Sequence, residues 1–155
     1  MPIFLKNDGY ISRMALKMIQ HGSKEYEQMV ALRHQLLRKP LGLQFSPEEL
    51  ANEKNNILLA YTDDGIMEAC SMLVKVDATT VRLRQLAVLS GLQGKGIGRA
   101  MVQFAENLAR DNRYQRIIMH ARKDSIHFFE KLGYQVESEP FIELTIPHVV
   151  MGKDL

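Results

Sequence analysis

The segment Gln93-Gly94-Lys95-Gly96-Ile97-Gly98-Arg99 constrains this chain more than any other, because three alternating glycines stand between a strand-like stretch and a helix-like one. Before it, Val81, Leu83, Gln85, Ala87 and Leu89 alternate with Arg82, Arg84, Leu86 and Val88, the two-residue period of a strand. After it, Ile97, Met101, Phe104 and Leu108 recur every three or four residues, and the helix they predict ends near Asp111-Asn112. Glycines at such a junction let the backbone approach a ligand closely, and the first-turn N–H groups with the helix dipole favour an anion. Lys95 and Arg99 add positive charge beside it. The plain alternative is a tight strand-to-helix turn. A Walker loop would end in Gly-Lys-Ser/Thr, and Gly96-Ile97-Gly98-Arg99 stands here instead. A Rossmann fingerprint needs Gly-x-Gly-x-x-Gly, which Gly94-x-Gly96-x-Gly98 does not match.

Patterning elsewhere predicts a single domain over 1–155, with 1–11 as a loose leader. Arg13 to Ile19 alternates as a first strand, and an amphipathic helix from Ser23 stops before Pro40. Ser46-Pro47-Glu48-Glu49 starts a second helix, with Ser46 as cap and Glu49 reaching back to close a capping box. Asn56–Tyr61, the turn Thr62-Asp63-Asp64-Gly65 and Ile66–Val76 form a hairpin, and Val81–Leu89 completes a meander. Arg116–Ala121 reads as a buried strand. Asp124 can cap a short helix carrying Ile126, Phe129 and Leu132 inward, and Gly133 is its left-handed stop. Tyr134–Glu139 and Val149–Lys153 are the closing strands.

Twenty basic and eighteen acidic side chains are interspersed, giving a net charge of +2 and no single-sign tract suited to nucleic acid or a membrane surface. Cys70 is the one cysteine, so an intrachain disulfide and a thiolate-rich metal cluster are excluded, which fits a reducing cytoplasm. No apolar run approaches the ~20 residues that span a bilayer. The five histidines, His21, His34, His120, His127 and His148, show no paired spacing on one helix face, so no metal is expected.

The spacing Gln93-x-x-Gly96-x-Gly98 after Leu86-Ala87-Val88 resembles the acetyl-CoA signature of the GNAT superfamily of N-acetyltransferases, and Phe128-Phe129-Glu130-Lys131-Leu132-Gly133-Tyr134 resembles its second landmark. The resemblance spans roughly Arg13 to Lys153 and is specific from Val81 to Tyr134. It implies an α/β (α+β) fold: a mixed, mostly antiparallel sheet of six to seven strands, about four helices, and a signature strand splayed from the next. It implies acetyl-CoA as cofactor, its pyrophosphate on the amides of residues 94–99 and its pantetheine on the backbone of Leu86 to Val88. Ser125, Phe128 and Lys131 are expected to flank it. A homodimer through the C-terminal strands would be ordinary for such a fold.

The implied reaction is direct attack of a neutral amine on the thioester, which needs a base or a water chain and a source of a proton for the thiolate. Relatives often carry a carboxylate in the middle of the signature strand, where Arg84 and Gln85 stand here. They often carry a tyrosine as thiolate donor where Phe129 stands. Candidates for acid–base work are therefore His120, Glu143 and His148, the last two in Glu143-Leu-Thr-Ile-Pro147-His148, which resembles a Glu-x-Gly-Ile-Pro-His ending of one bacterial branch. Alternation puts His120 with Ile118 and Arg122, and of the two histidines His120 is expected nearer the thioester. The plain reading of each histidine is a hydrogen-bonded packing residue. Arg82 and Arg84 read as a solvated strand face, with a grip on an acidic substrate as the alternative. The competing functional reading is a non-catalytic acyl-CoA-binding or sensor module. The acceptor, a small-molecule or protein amine, is not encoded in any motif of the chain.

Overall fold

The structure, a computed structural model, describes residues 3–5 and 11–155, with side chains from residue 14 onward. In chain order come β1 (Ile3–Leu5), β2 (Ile11–Ile19), α1 (Lys24–Arg33), α2 (Pro47–Ala51), β3 (Ile57–Asp63), β4 (Ile66–Lys75) and β5 (Thr80–Val88). There follow α3 (Ile97–Asp111), β6 (Arg116–Arg122), α4 (Ile126–Lys131), β7 (Gln135–Val136), β8 (Phe141–Glu143) and β9 (Ile146–Asp154). Strands hydrogen-bond in the order β1-β2-β3-β4-β5-β6-β9-β7, with β8 on β9, and the described registers are antiparallel except β5 with β6. The mixed, mostly antiparallel sheet with four α-helices matches the expected fold class. Among the described residues it has nine strands rather than six to seven, because the short strands β1 and β8 join it. Of the expected leader, residues 1, 2 and 6–10 lie outside the described residues, whereas Ile3–Leu5 and Ile11 belong to the β1–β2 pair.

The chain divides into two compact units, Met1–Met72 with Gln85–Phe104, and Leu73–Arg84 with Ala105–Leu155, and β4 and β5 run through both. In the first unit, β3 and β4 turn at Asp64-Gly65, both at positive φ (51° and 81°), the pair of left-handed residues a tight hairpin requires. Leu58, Leu59, Ala60, Ala69, Cys70 and Met72 bury these strands. Ser23 caps α1 by accepting from the Tyr26 N–H. The helix then widens into a π turn over His34–Arg38, closed by the Lys39 N–H to the His34 carbonyl. That wider turn brings Arg33 and Arg38 to the Phe45 ring, 4.5 and 4.1 Å from its centroid. Arg33 is fully buried and forms a two-pronged pair with Glu53 at 2.8 and 2.7 Å, while the Tyr26 hydroxyl donates to the same carboxylate at 2.6 Å.

Ser46 caps α2 as expected, accepting from the Glu49 N–H. The other half of the capping box does not form. Arg38 takes the Glu49 carboxylate at 2.7 Å, a charge-assisted bond that outcompetes a neutral backbone donor.

In the second unit, β5 runs parallel to β6 over Thr80–Leu83 against Arg116–Met119. Gln85 then adopts φ 58°, which breaks the extended backbone of β5 just past that register. β6 alternates strictly, with Ile117, Met119 and Ala121 buried and Ile118, His120 and Arg122 half-buried. The expected strand Tyr134–Glu139 shrinks to β7, because the Ser138 hydroxyl accepts the Val150 N–H in place of a backbone carbonyl. α4 is preceded by a short 3₁₀ turn at Lys123–Ser125, and Asp124 lies inside that turn rather than capping the helix. Gly133 at φ 95° ends α4 as read from the sequence. Beneath it the buried Glu106 carboxylate accepts from Tyr134 at 2.7 Å and from Lys153 at 3.1 Å, tying α3, the end of α4 and β9 together.

Candidate functional site

The glycine loop belongs to the first unit. Gly94 and Gly96 both sit at φ 84°, a left-handed conformation that side chains resist, and a Cβ built on either meets nothing within 4 Å. Glycine is thus required by backbone conformation there, with open space above it. The first backbone bond into α3 runs from Ala100 N–H to Gly96 C=O at 3.0 Å, so the amides of Ile97, Gly98 and Arg99 precede the helical ladder. Lys95 and Arg99 are exposed, and Ile97 anchors the helix start in the core. Gln93 turns its amide onto the Val88 carbonyl at 3.4 Å, tying the loop to the end of β5. Ala87 is buried, while Leu86 and Val88 are half-buried. Free first-turn amides, positive-φ glycines with open space and two cations together suit a polyanion such as a pyrophosphate.

The second unit assembles the acid–base candidates. His120 Nδ1 lies 3.0 Å from Glu143 Oε1 and 2.8 Å from Arg82 Nη2, and Arg82 Nη2 lies 3.5 Å from the same carboxylate oxygen. His148 Nε2 stands 3.9 Å from Glu143 Oε2, with its Nδ1 2.9 Å from the Ile146 carbonyl. Phe141 meets the His120 ring edge-on at 5.1 Å and stacks on His148 at 6.1 Å. The registers explain the convergence: Arg122 pairs with His148 across β6–β9, and Phe141 pairs with His148 while Glu143 pairs with Ile146 across β8–β9. Burial works against the Glu143 charge, but the hydrogen bond from His120, with Arg82 and His148 nearby, outweighs it and holds the carboxyl below its ordinary range.

Glu143 itself is carried by a strained turn. Leu144 and Thr145 link β8 to β9 at φ 49° and 69°, positions where a leucine and a β-branched threonine are disfavoured.

His120, Glu143 and His148 are therefore brought together, and Arg82, read from the sequence as part of a solvated strand face, joins them. Sequence alternation identified the face of Arg82, but its partner depends on the β5–β6 register, which no local pattern encodes. Ser125 and Phe128 are partly accessible and Lys131 is exposed on α4. Phe129 is buried, edge-on to Phe128 at 5.0 Å and to Tyr134 at 5.8 Å, so its ring serves the core. Cys70 is fully buried with its thiol pushed up to about 12 by burial, which leaves it without nucleophilic thiolate. No helix of the described residues is long and apolar enough to cross a membrane.

A family model described as an acetyltransferase (GNAT) domain matches residues 24–155, and the chain belongs to this family. It is 30% identical over 76 residues to the uncharacterized protein YyaT of Bacillus subtilis (strain 168), covering 49% of this chain and 51% of that protein. It is 29% identical over 108 residues to the uncharacterized N-acetyltransferase YjcF of the same organism, covering 69% and 75%. The chain thus spans about half the length of YyaT. Its fold is similar to a crystallised acyl-CoA N-acyltransferase from Pseudomonas aeruginosa, at TM-score 0.78 and 18% identity over 91% of this chain and 99% of that one. It is also similar to a GNAT family acetyltransferase from Elizabethkingia anophelis with acetyl-CoA bound, at TM-score 0.71 and 16% identity over 92% and 98%.

Proposed function

We propose that this chain transfers an acetyl group from acetyl-CoA to a primary amine. The observation that carries the reading is the Gly94–Arg99 loop, whose positive-φ glycines, unladdered amides and flanking cations suit the pyrophosphate of a CoA thioester. Gln93 and residues 94–99 would hold the phosphates, the backbone of Leu86, Ala87 and Val88 the pantetheine, and Ser125, Phe128 and Lys131 would flank it. The relative from Elizabethkingia anophelis was crystallised with acetyl-CoA, which supports the same cofactor here. Bound acetyl-CoA supplies an activated thioester carbonyl.

The residues of the chain would manage the proton. Glu143, held ionised, accepts the Nδ1–H of His120 and leaves the Nε2 lone pair as the base. The amine nitrogen bonds to the carbonyl carbon as the carbon–sulfur bond breaks, and the amine proton passes to His120 Nε2. From there it returns to the departing sulfur or to solvent, since Phe129 has no proton to give. His148 stands behind Glu143 as the second imidazole of the cluster. The single buried thiol, Cys70, suits work in a reducing cytoplasm. The acceptor is a small-molecule or protein amine, and a homodimer through the C-terminal strands would be compatible with either.

The test is release of free CoA from acetyl-CoA over a panel of amines. Amine-dependent release supports the transferase. Tight acetyl-CoA binding with no release by any amine would instead favour the acyl-CoA sensor, the reading to which the buried Phe129 at the donor position lends weight.

A further inference from the structure

Three strands bring polar groups to a single atom of His120. Arg82 comes from β5, whose register on β6 pairs it with Ile118, two residues before His120 and on the same face. Glu143 comes from β8, where it pairs with Ile146 of β9, and β9 in turn pairs Val150 with His120. Both side chains meet the imidazole at Nδ1: Glu143 Oε1 lies 3.0 Å from it and Arg82 Nη2 lies 2.8 Å from it. The same two partner atoms form an ion pair with each other at 3.5 Å. Nε2, on the far side of the ring, lies outside this contact.

One ring nitrogen cannot serve both partners. A guanidinium only donates, an ionised carboxylate only accepts, and Nδ1 of a neutral imidazole carries either a hydrogen or a lone pair. With the hydrogen on Nδ1, the bond to Glu143 forms and Arg82 keeps the same carboxylate as its acceptor, but a guanidinium N–H then faces a ring N–H across 2.8 Å. With the hydrogen on Nε2, the two hydrogens of Arg82 Nη2 can turn to Nδ1 and to Glu143 together, but a carboxylate oxygen then faces a ring lone pair across 3.0 Å. Each tautomer keeps Arg82 paired with Glu143, and each carries one mismatched contact at hydrogen-bond distance. The mismatches are alike in kind and in distance, so neither tautomer excludes the other. The remaining neighbours do not decide the contest. Phe141, edge-on to the ring at 5.1 Å, is apolar, and His148 approaches Glu143 at its other oxygen, Oε2.

We infer that Arg82 is a positioning residue that acts through His120: by competing with Glu143 for Nδ1, it divides the ring between a tautomer that can take the amine proton and one that cannot. This role rests on the acetyltransferase reading and adds a control on its base. Hydrogen on Nδ1 leaves a lone pair at Nε2, whereas hydrogen on Nε2 leaves none there. Glu143 selects the first form and Arg82 the second. The share of molecules with a ready base is therefore set by the balance between these two side chains.

The experiment is NMR of the His120 ring nitrogens in the isotope-labelled full chain, free of acetyl-CoA and amine, at a pH of about 8.5, above the ordinary imidazole range. His120→Gln identifies the signals by their loss. A ring N–H and a bare ring nitrogen resonate far apart, so the averaged shifts read the two populations. The wild type should lie between the limits, with each tautomer holding at least about one part in ten. Arg82→Met, which removes the donor, should move both nitrogens towards the Nδ1–H limit, and Arg82→Lys, which keeps a charged donor, should stay nearer the wild type. Glu143→Gln, which weakens the acceptor, should move them the opposite way. A wild type already at the Nδ1–H limit, or a Glu143→Gln variant with unmoved shifts, overturns the role even if Arg82→Met fails to fold. With a confirmed acceptor, the cost of Glu143→Gln in kcat should shrink by roughly threefold or more in the Arg82→Met background, where no donor competes for Nδ1. An equal cost in both backgrounds overturns the role as well, while leaving the acetyltransferase reading intact. If no amine gives CoA release although acetyl-CoA binds, that reading falls and the catalytic role of Arg82 with it, and the spectra still decide whether the two side chains compete.

Discussion

The imidazole of His120 and the carboxylate of Glu143 meet at 3.0 Å, Nδ1 to Oε1, although 23 residues of chain separate them. β6 supplies one and the β8 strand the other, and β9, paired with both, sets their positions. The geometry leaves Nε2 of His120 as the atom that can take a proton.

Glu143→Gln keeps the shape of the carboxyl and removes its charge. The expected result is a fall in kcat of roughly 10- to 10²-fold, the worth of a hydrogen bond to a charged group, with KM for acetyl-CoA little changed. The stability effect carries a pH signature. The carboxyl titrates below its ordinary value, so its contribution is present above about pH 4.3 and is lost as pH falls through the lower folded value. Denaturant unfolding at neutral pH should show the wild type more stable than the variant, and the gap should close in acid. An equal gap at both would remove the charge from the account.

The Leu144-Thr145 turn that carries Glu143 holds two non-glycine residues at positive φ, and Thr145, β-branched at φ 69°, is the more strained. Thr145→Gly should therefore stabilise the fold by ~1 kcal/mol, read from chemical denaturation midpoints. Unchanged or lower stability would mean that the turn is not strained as its dihedrals indicate.

In the first unit, the Glu53 carboxylate accepts two hydrogen bonds from the buried Arg33 guanidinium and one from Tyr26. Glu53→Gln strips the countercharge from a fully buried cation, so a loss of ~3–5 kcal/mol is expected in denaturant unfolding. A loss below ~1 kcal/mol would show that water reaches the site and supports Arg33 unaided.

Phe129→Tyr asks whether a thiolate donor is missing. The Phe129 ring is buried against Phe128 and Tyr134, so the variant must place its hydroxyl without disturbing that core. If proton delivery to sulfur limits the rate, the folded variant turns over faster with its alkaline limb moved. An unchanged rate and pH profile with a confirmed acceptor would show that the donor is not limiting.

Much of this architecture was legible because local chemistry dictates it. Asp64-Gly65 requires a tight hairpin, Ser46-Pro47 starts a helix, Gly133 stops one, and the three alternating glycines around Ile97 mark the loop. What was hidden depends on register or on competition. Leu144-Thr145 lacks the Asn-Gly or Asp-Gly signature, so the β8 hairpin was not foreseen. Ser138 ends β7 because its hydroxyl oxygen accepts the Val150 N–H, a role that a carbonyl usually fills, and Glu49 leaves its capping box for Arg38. Arg82 gave no sign of joining His120, because only the four-residue parallel register of β5 on β6 aligns the two strands.

The central claim is that the Gly94–Arg99 loop receives the pyrophosphate of acetyl-CoA, and calorimetric titration of acetyl-CoA into the wild type and Gly96→Asp tests it most directly. Gly96 is at φ 84° with open space around the position of a Cβ, so the substitution directs a carboxylate into the place the phosphates would occupy rather than into the protein core. Saturable binding to the wild type with affinity lost by roughly 10²-fold or more in a folded Gly96→Asp variant is the predicted result. Equal binding to both proteins, or no binding to the wild type, would contradict it.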